Sequence, residues 1–213
     1  MTNIPTGISA QLNEGFGKLT HRARDLLIRP RATWAAIADE PATVRSIFIP
    51  YVLVLAAIGP LARFLGGQLF GYQILDITYR PPMASAAVSA LLFYALTLVA
   101  MFLLARLIDA LAPSFGAQKN PIQALKLAAY SGTAAWVAGA FGLIPSIGMF
   151  SMLGLYSLYL LYVGLPLLMK VPQDKAGVYV AAVGVAAAIL LFLISAISSQ
   201  FAHPVDPVML ATQ

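Results

Sequence analysis

The residues that could do chemistry within the most apolar part of this chain are hydroxyls. Tyr156, Tyr159 and Tyr162 follow one another at intervals of three, and Ser157 comes directly after the first. Steps of three residues drift slowly around a helix, so these four hydroxyls would cover a broad face. Such a face could line a polar pathway. The alternative is that the hydroxyls bind neighbouring helices or lipid headgroups, which is the commoner role of tyrosine in membranes.

Groups that catalysis needs are missing from the same apolar part. An intramembrane hydrolase needs a nucleophile with a base, or a pair of carboxylates. Ser151 and Ser157 have no candidate base nearby in sequence. Cys is absent, and His21 and His203 fall on opposite sides of the membrane in the topology predicted below. We therefore expect no enzymatic activity, no cofactor and no bound metal.

Five apolar stretches, each about long enough to cross a bilayer, must position the hydroxyls. The chain is 60% hydrophobic, and no Asp, Glu, Lys or Arg occurs between Leu127 and Met169 or between Ala176 and Val205. Membrane spans of about 20 residues require uncharged runs of this kind, whereas soluble cores do not. The predicted fold is an all-α integral membrane protein with a five-helix bundle over residues 46–199. Its spans are predicted at 46–65, 83–108, 122–143, 147–169 and 177–199.

The positions of Lys and Arg predict which side of the membrane each loop faces. Eleven of the 13 cations lie before the first span, between the second and third, or between the fourth and fifth, whereas only Arg63 and Arg80 lie near the first external loop. Loops rich in Lys and Arg stay in the cytoplasm. The N-terminus is therefore predicted in the cytoplasm and the C-terminal tail, 200–213, outside. Because the cations flank span ends, nucleic acid is not an expected partner.

The segment before the first span divides into two parts. Residues 1–17 are polar and rich in Gly, which predicts a flexible cytoplasmic tail. Residues 18–45 predict two short amphipathic helices that are separated at Pro30. Lipid contact of these helices at the membrane interface is one interpretation, and a small subdomain packed on the cytoplasmic loops is the other. The candidate contact residues are Arg29, Arg31, Trp34 and Ile37.

Proline and small residues predict how the spans bend and pack. Pro50, Pro60 and Pro166 lie inside predicted spans, and Pro145 lies in the short connection between the third and fourth. Each removes a backbone donor and is predicted to kink the chain, which neighbouring helices tolerate in a membrane. Small residues repeat at intervals of four in the third and fifth spans, where they allow helices to approach closely.

Two stretches of the chain resemble a known family. The first begins Leu27-Ile-Arg-Pro and continues through Thr-Trp-Ala-Ala-Ile-Ala-Asp-Glu to Pro41. The second runs from Leu125-Lys-Leu-Ala-Ala-Tyr-Ser through Ile-Pro145 and Leu-Tyr156-Ser to Asp-Lys-Ala176. Together they resemble bacterial members of the Yip (Ypt/Rab-interacting protein) domain family. The similarity extends over nearly all of residues 26–199, and it consists of small, aromatic and proline residues in a distinctive order.

The resemblance implies five spans, a cytoplasmic N-terminus and a C-terminus across the membrane. Eukaryotic members of the family bind Rab-type GTPases, but this chain lacks their D-L-Y-G-P motif and has a short N-terminal region, so that partner is not carried over. Bacterial members are inner-membrane proteins without an assigned activity, which implies the same location here.

These observations lead to two hypotheses of function. The first is a non-enzymatic inner-membrane protein that organises lipids or partner proteins through its N-terminal helices, with membrane lipids, further copies of the chain or other membrane proteins as partners. The second is a small channel or passive permease with the hydroxyls of span four in its pathway.

Overall fold

The computed structural model describes residues 6–74 and 77–201 and is 85% helical. The predicted external tail lies outside the described residues from position 202 onward, and so does His203. The α-helices are α1 (Thr6–Ile28), α2 (Pro30–Asp39), α3 (Val44–Ile47), α4 (Leu53–Ala56), α5 (Ile58–Leu69), α6 (Met83–Leu111), α7 (Pro121–Ser131), α8 (Thr133–Ala138), α9 (Tyr156–Met169) and α10 (Gln173–Ser199). Strands β1 (Tyr72–Ile74) and β2 (Ile77–Tyr79) form an antiparallel hairpin.

Four helical segments within the described part of the chain are long and apolar enough to cross a bilayer. They are Val44–Leu69, Met83–Phe115, Pro145–Met169 and Gln173–Ser199. Their positions match the first, second, fourth and fifth predicted spans. The all-α membrane class is therefore confirmed, whereas the count of five spans stays a prediction.

The third predicted span, 122–143, is a helix with an interruption. It consists of α7, a turn at Gly132, α8 and a 3₁₀ helix over Gly139–Leu143. A Cβ atom on Gly132 would lie 3.0 Å from the ring of Trp136, so that ring packs directly against the turn. Residues 124–129 are all buried, because α7 packs between α6 and α9. The first half of this interrupted segment is thus enclosed by protein.

One prediction about the N-terminal region needs correction. Helix α1 begins at Thr6, so the prediction of an irregular segment over residues 1–17 is wrong for residues 6–17. The second helix begins at Pro30, whose fixed φ and missing N–H suit the first position of a helix. Arg29 alone separates α1 from α2, and the two helices pack against each other. We refer to α1 and α2 as the N-terminal helix pair.

Three of the four predicted proline positions lie at or near backbone irregularities or helix starts, and the fourth lies within a continuous helix. Pro50 lies in a π-helix over Phe48–Val52, Pro60 follows the turn at Ala57, and Pro166 lies inside α9. Pro145 begins an 11-residue 3₁₀ helix, Pro145–Leu155, which forms the first half of the fourth predicted span. A 3₁₀ helix rises about 2.0 Å per residue and is slimmer than an α-helix. Irregular backbone thus occurs at Pro50 and Pro145, whereas a kink at Pro166 stays a prediction.

Glycine allows two segments to approach closely near the β-hairpin. A Cβ on Gly139 would lie 2.8 Å from Gly59 Cα, and a Cβ on Gly66 would lie 2.7 Å from the carbonyl oxygen of Gly142. Helix α5 and the 3₁₀ helix Gly139–Leu143 are therefore in backbone contact, which a larger residue would prevent. This contact connects the third predicted span to the first at the β-hairpin end of the bundle.

Candidate functional site

The N-terminal helix pair is the candidate functional site, and it covers the end of the bundle opposite the β-hairpin. Its inner face is apolar, and Leu26, Trp34 and Ile37 are fully buried. Across the pair, the Arg22 guanidinium donates two hydrogen bonds to the Glu40 carboxylate, at 2.6 and 2.8 Å. Apolar burial on one face and a bidentate ion pair on the other hold α1 against the C-terminal end of α2.

Trp34 anchors α2 to the bundle. Its ring meets Tyr130 edge to face, with centroids 6.3 Å apart. A Cβ on Gly164 would lie 2.7 Å from the same ring, so glycine at this position in α9 makes room for the indole. A fully buried tryptophan contributes several kcal/mol to stability, typically about 3–5 when it is removed. The helix pair is thereby packed onto α7 and α9.

Lys126 of α7 caps the C-terminal end of α2. Its Nζ donates to the carbonyl oxygens of Ile37 at 2.7 Å and Glu40 at 2.6 Å, and Gln123 Nε2 donates to the carbonyl of Ala38 at 3.0 Å. The last carbonyls of a helix have no partner within the helix and carry its partial negative charge. A buried ammonium is thus stabilised where α2 ends, and α2 is fixed to the third predicted span.

These contacts correct the prediction for two of the four candidate lipid-contact residues. Trp34 and Ile37 are covered by protein, so they do not contact lipid in this fold. The alternative is a small subdomain packed on the cytoplasmic loops, and these two residues do pack on protein, with Trp34 on helices α7 and α9 rather than on loops. Arg29 and Arg31 are exposed, and their contact with lipid or a partner stays a prediction.

A basic groove runs between α1 and α2 on the exposed side of the pair. Its volume is about 600 Å³. Lys18 is paired with Glu14 at 2.7 Å and Arg22 with Glu40, so Arg29 is the lining cation without a carboxylate within 4 Å among the described residues. The groove is lined by Lys18, His21, Arg22, Asp25, Arg29, Ala32, Thr33 and Ala36.

The four hydroxyls of the candidate pathway lie mostly at the outside of the described helices. Tyr159 and Tyr162 are 42% and 48% exposed. Tyr156 donates to the carbonyl oxygen of Leu27 at 3.3 Å and therefore contacts the N-terminal helix pair. Ser157 Oγ accepts a hydrogen bond from the Ala135 backbone N–H at 3.0 Å. Two of the four hydroxyls thus have structural partners, and their role in a pathway stays a prediction.

Sequence reasoning missed the buried polar residues that join the helices to one another. Thr133 Oγ1 donates to the carbonyl of Tyr130 at 2.6 Å and accepts from the Tyr51 hydroxyl at 2.7 Å, so the first and third predicted spans are joined by a buried network. Lys126 offered the clearest signal, because a lysine inside an otherwise apolar segment requires acceptors. The described residues contain no group of three or more His, Asp or Glu side chains that could hold a metal.

Comparison with known proteins identifies the family of the chain. Residues 24–195 match the model of the Yip1 domain. Two curated relatives are the inner membrane protein YohC of Escherichia coli strain K12 and YohC of Escherichia coli O6:H1 strain CFT073. Each is 23% identical to this chain over 155 residues, which is 70% of this chain and 80% of the relative. No solved structure matches. The family match covers most of the chain, and the protein therefore belongs to the Yip1 domain family.

Proposed function

We propose that this protein is a non-enzymatic, multi-pass inner-membrane adaptor that presents the N-terminal helix pair to a partner protein in the cytoplasm. The observation that carries the proposal is the way the pair is held. Its inner face is fixed by Trp34 and Lys126, while the basic groove on its outer side is open. A preformed surface loses little conformational entropy on binding, which favours recognition.

Five spans with a cytoplasmic N-terminus form part of the proposal. The third predicted span has 18 residues from Pro121 to Ala138 and five more in 3₁₀ geometry. At about 1.5 and 2.0 Å per residue these amount to roughly 37 Å, which is enough for a hydrocarbon core of about 30 Å. The distribution of Lys and Arg supports the orientation, and the inner-membrane relatives support the location.

The groove favours a partner with an acidic segment. Arg29 has no carboxylate partner among the described residues, and exposed Arg31 lies near it in the chain. Guanidinium groups bind carboxylates through two parallel hydrogen bonds, so an acidic helix or loop of a partner would satisfy Arg29. The exposed alanines of the groove, Ala32 and Ala36, leave space for such a segment.

In-cell photo-crosslinking tests the adaptor function. The probe replaces Ala36 in the groove, and the control probe replaces Ala35, which is also exposed but does not line the groove. A discrete protein adduct from position 36 that is weaker from position 35 supports the proposal. Adducts to lipid alone from both positions would overturn it.

Charge reversal provides a second test. Arg29→Glu should reduce the adduct from position 36 at least about tenfold, because it places a negative charge against an acidic partner. Arg24→Glu makes the same change at an exposed arginine outside the groove and should leave the adduct almost unchanged. Equal losses in the two variants would show that the groove does not determine binding.

A further inference from the structure

A second cavity lies at the β-hairpin end of the bundle, away from the N-terminal helix pair. It has a volume of about 370 Å³ and lies where α5 and α10 end and α6 begins, beneath the β-hairpin. Tyr72 and Tyr79, which pair across the hairpin, contribute to its wall. In the proposed topology this cavity opens on the external side of the membrane.

Arg63 is the cation that lines this cavity. The Arg63 guanidinium lies over the ring of Phe93, 5.3 Å from the centroid, and no carboxylate lies within 4 Å of it among residues 6–74 and 77–201. Arg63 is six positions before the end of α5, or roughly 9 Å into the segment. Arg63 is exposed, so its guanidinium, although stacked on an aromatic ring, remains available to bind an anion.

Three serines of α10 belong to the same cavity as the cation. Ser195, Ser198 and Ser199 all line the cavity. Ser198 is only 3% exposed, and its Oγ has no hydrogen-bond partner in the described structure. Its backbone carbonyl is already engaged by the Ser89 hydroxyl at 2.8 Å. A buried hydroxyl without a partner is unfavourable, so the Ser198 Oγ is a donor that a bound oxyanion could satisfy.

An apolar groove continues from this cavity along the bundle surface. It lies between α5 and α6, has a volume of about 370 Å³, and shares Pro60, Phe64 and Ala90 with the cavity at Arg63. Leu61 and Leu91 also line it and are 56% and 68% exposed. A cavity that contains a cation and three serines therefore adjoins an apolar groove on the bundle surface.

We propose that the two cavities together bind one anionic lipid, with its headgroup oxyanion at Arg63 and Ser198 and an acyl chain in the groove between α5 and α6. The Arg63 guanidinium and the Ser198 hydroxyl can both donate hydrogen bonds to a phosphate. The apolar groove, which shares Ala90 with the cavity at Arg63, can accommodate a hydrocarbon chain. A soluble anion would occupy the cavity at Arg63 and leave the apolar groove empty. This site is separate from the groove of the N-terminal helix pair, so each proposal can fail without the other.

Lipid photo-crosslinking on the full chain in phosphatidylcholine nanodiscs tests the site. The probe is phosphatidylglycerol with a photoreactive acyl chain, and the competitors are unlabelled phosphatidylglycerol, phosphatidylcholine and inorganic phosphate. Adducts should map to α5 and α6, and phosphatidylglycerol should compete about tenfold better than phosphatidylcholine. Competition by inorganic phosphate equal to that by the lipid would show a soluble-anion site and overturn the proposal.

Arg63→Gln should abolish the preference for phosphatidylglycerol, and Arg63→Lys should retain part of it. Arg80→Gln removes a cation near the same hairpin that does not line the cavity, and the preference should remain. An Arg63→Gln variant that behaves like Arg80→Gln would overturn the proposal.

Ala90→Phe places a large side chain in the wall shared by both cavities and should reduce labelling about tenfold, whereas Ala95→Phe, at an exposed position of α6 outside both cavities, should not. Equal labelling of these two variants would also overturn it.

Discussion

The two ends of this helical bundle are held together by different physical means. At the N-terminal helix pair, long side chains reach across and bind backbone carbonyls, as Lys126 and Gln123 do. At the β-hairpin end, glycines bring backbones into direct contact, as Gly59 and Gly139 do. At the N-terminal helix pair, side chains occupy the backbone acceptors. At the β-hairpin end, a cavity remains with Arg63 in its wall. The difference agrees with the two proposals, a fixed binding surface at one end and a lipid site at the other.

Removing Trp34 should have the largest effect on the fixed end. Trp34→Ala leaves a cavity between α2, α7 and α9 and should lower the free energy of unfolding by about 3–5 kcal/mol. Trp34→Phe should cost much less, because an aromatic ring remains against Tyr130 and the indole N–H has no partner in the described structure. Denaturant unfolding in detergent measures both. Equal stability of the two variants would contradict the assigned anchor.

The next largest effect on stability is expected from adding a methyl group to a glycine at the β-hairpin end. Gly66→Ala drives a Cβ into the backbone of Gly142 and Leu143, and overpacking of this kind costs about 1–3 kcal/mol. Gly177→Ala adds the same methyl where nothing lies within 4 Å, so it should be neutral or slightly stabilising. Thermal unfolding of the two variants in the same detergent separates them. A neutral Gly66→Ala would show that the backbones do not touch.

Removing the Lys126 ammonium should release α2 locally. Lys126→Met keeps the length of the side chain but leaves the carbonyls of Ile37 and Glu40 without their donor, at about 1–3 kcal/mol. Hydrogen exchange should speed up in α2 and stay unchanged in α10. Lys119→Met, at an exposed position, is the control. Unchanged exchange in α2 would mean that packing alone holds the helix.

The smallest effect is expected from single hydroxyls. Tyr51→Phe breaks the buried bond to Thr133 and should cost about 1 kcal/mol. Tyr159→Phe alters an exposed hydroxyl and should leave both stability and membrane permeability unchanged. Unfolding measurements and liposome flux assays check these expectations. Flux that Tyr159→Phe alters would favour the channel hypothesis over the adaptor.

The sequence predicts the spans better than it predicts what covers them. Long uncharged runs identify four apolar helices, because the bilayer requires them whatever lies beside them. The amphipathic pattern around Trp34 shows that one face avoids water, but lipid and protein satisfy that requirement equally well. Only the fold shows that Gly164, 130 positions later in the chain, makes room for the indole.

The site itself could be predicted only in part. Arg29 and Arg31 are exposed, as an interface residue must be, and their type and position can be recognised from sequence. The capping role of Lys126 could not be recognised from sequence, because its acceptors are backbone carbonyls, which every residue carries. The break at Gly132 was equally hidden, since Gly within an apolar run also occurs in continuous helices.

The distance in sequence between Lys126 and α2 also has a consequence for biosynthesis. The lysine follows Ile37 by 89 residues, and at 5–20 residues per second a ribosome needs about 4–18 s to add them. During that interval the apolar face of α2 exists without its protein partners, beside a membrane into which the first span is inserting. We expect the nascent helix pair to rest on the lipid surface until the third span arrives. The amphipathic pattern then serves the growing chain first and the finished bundle afterwards.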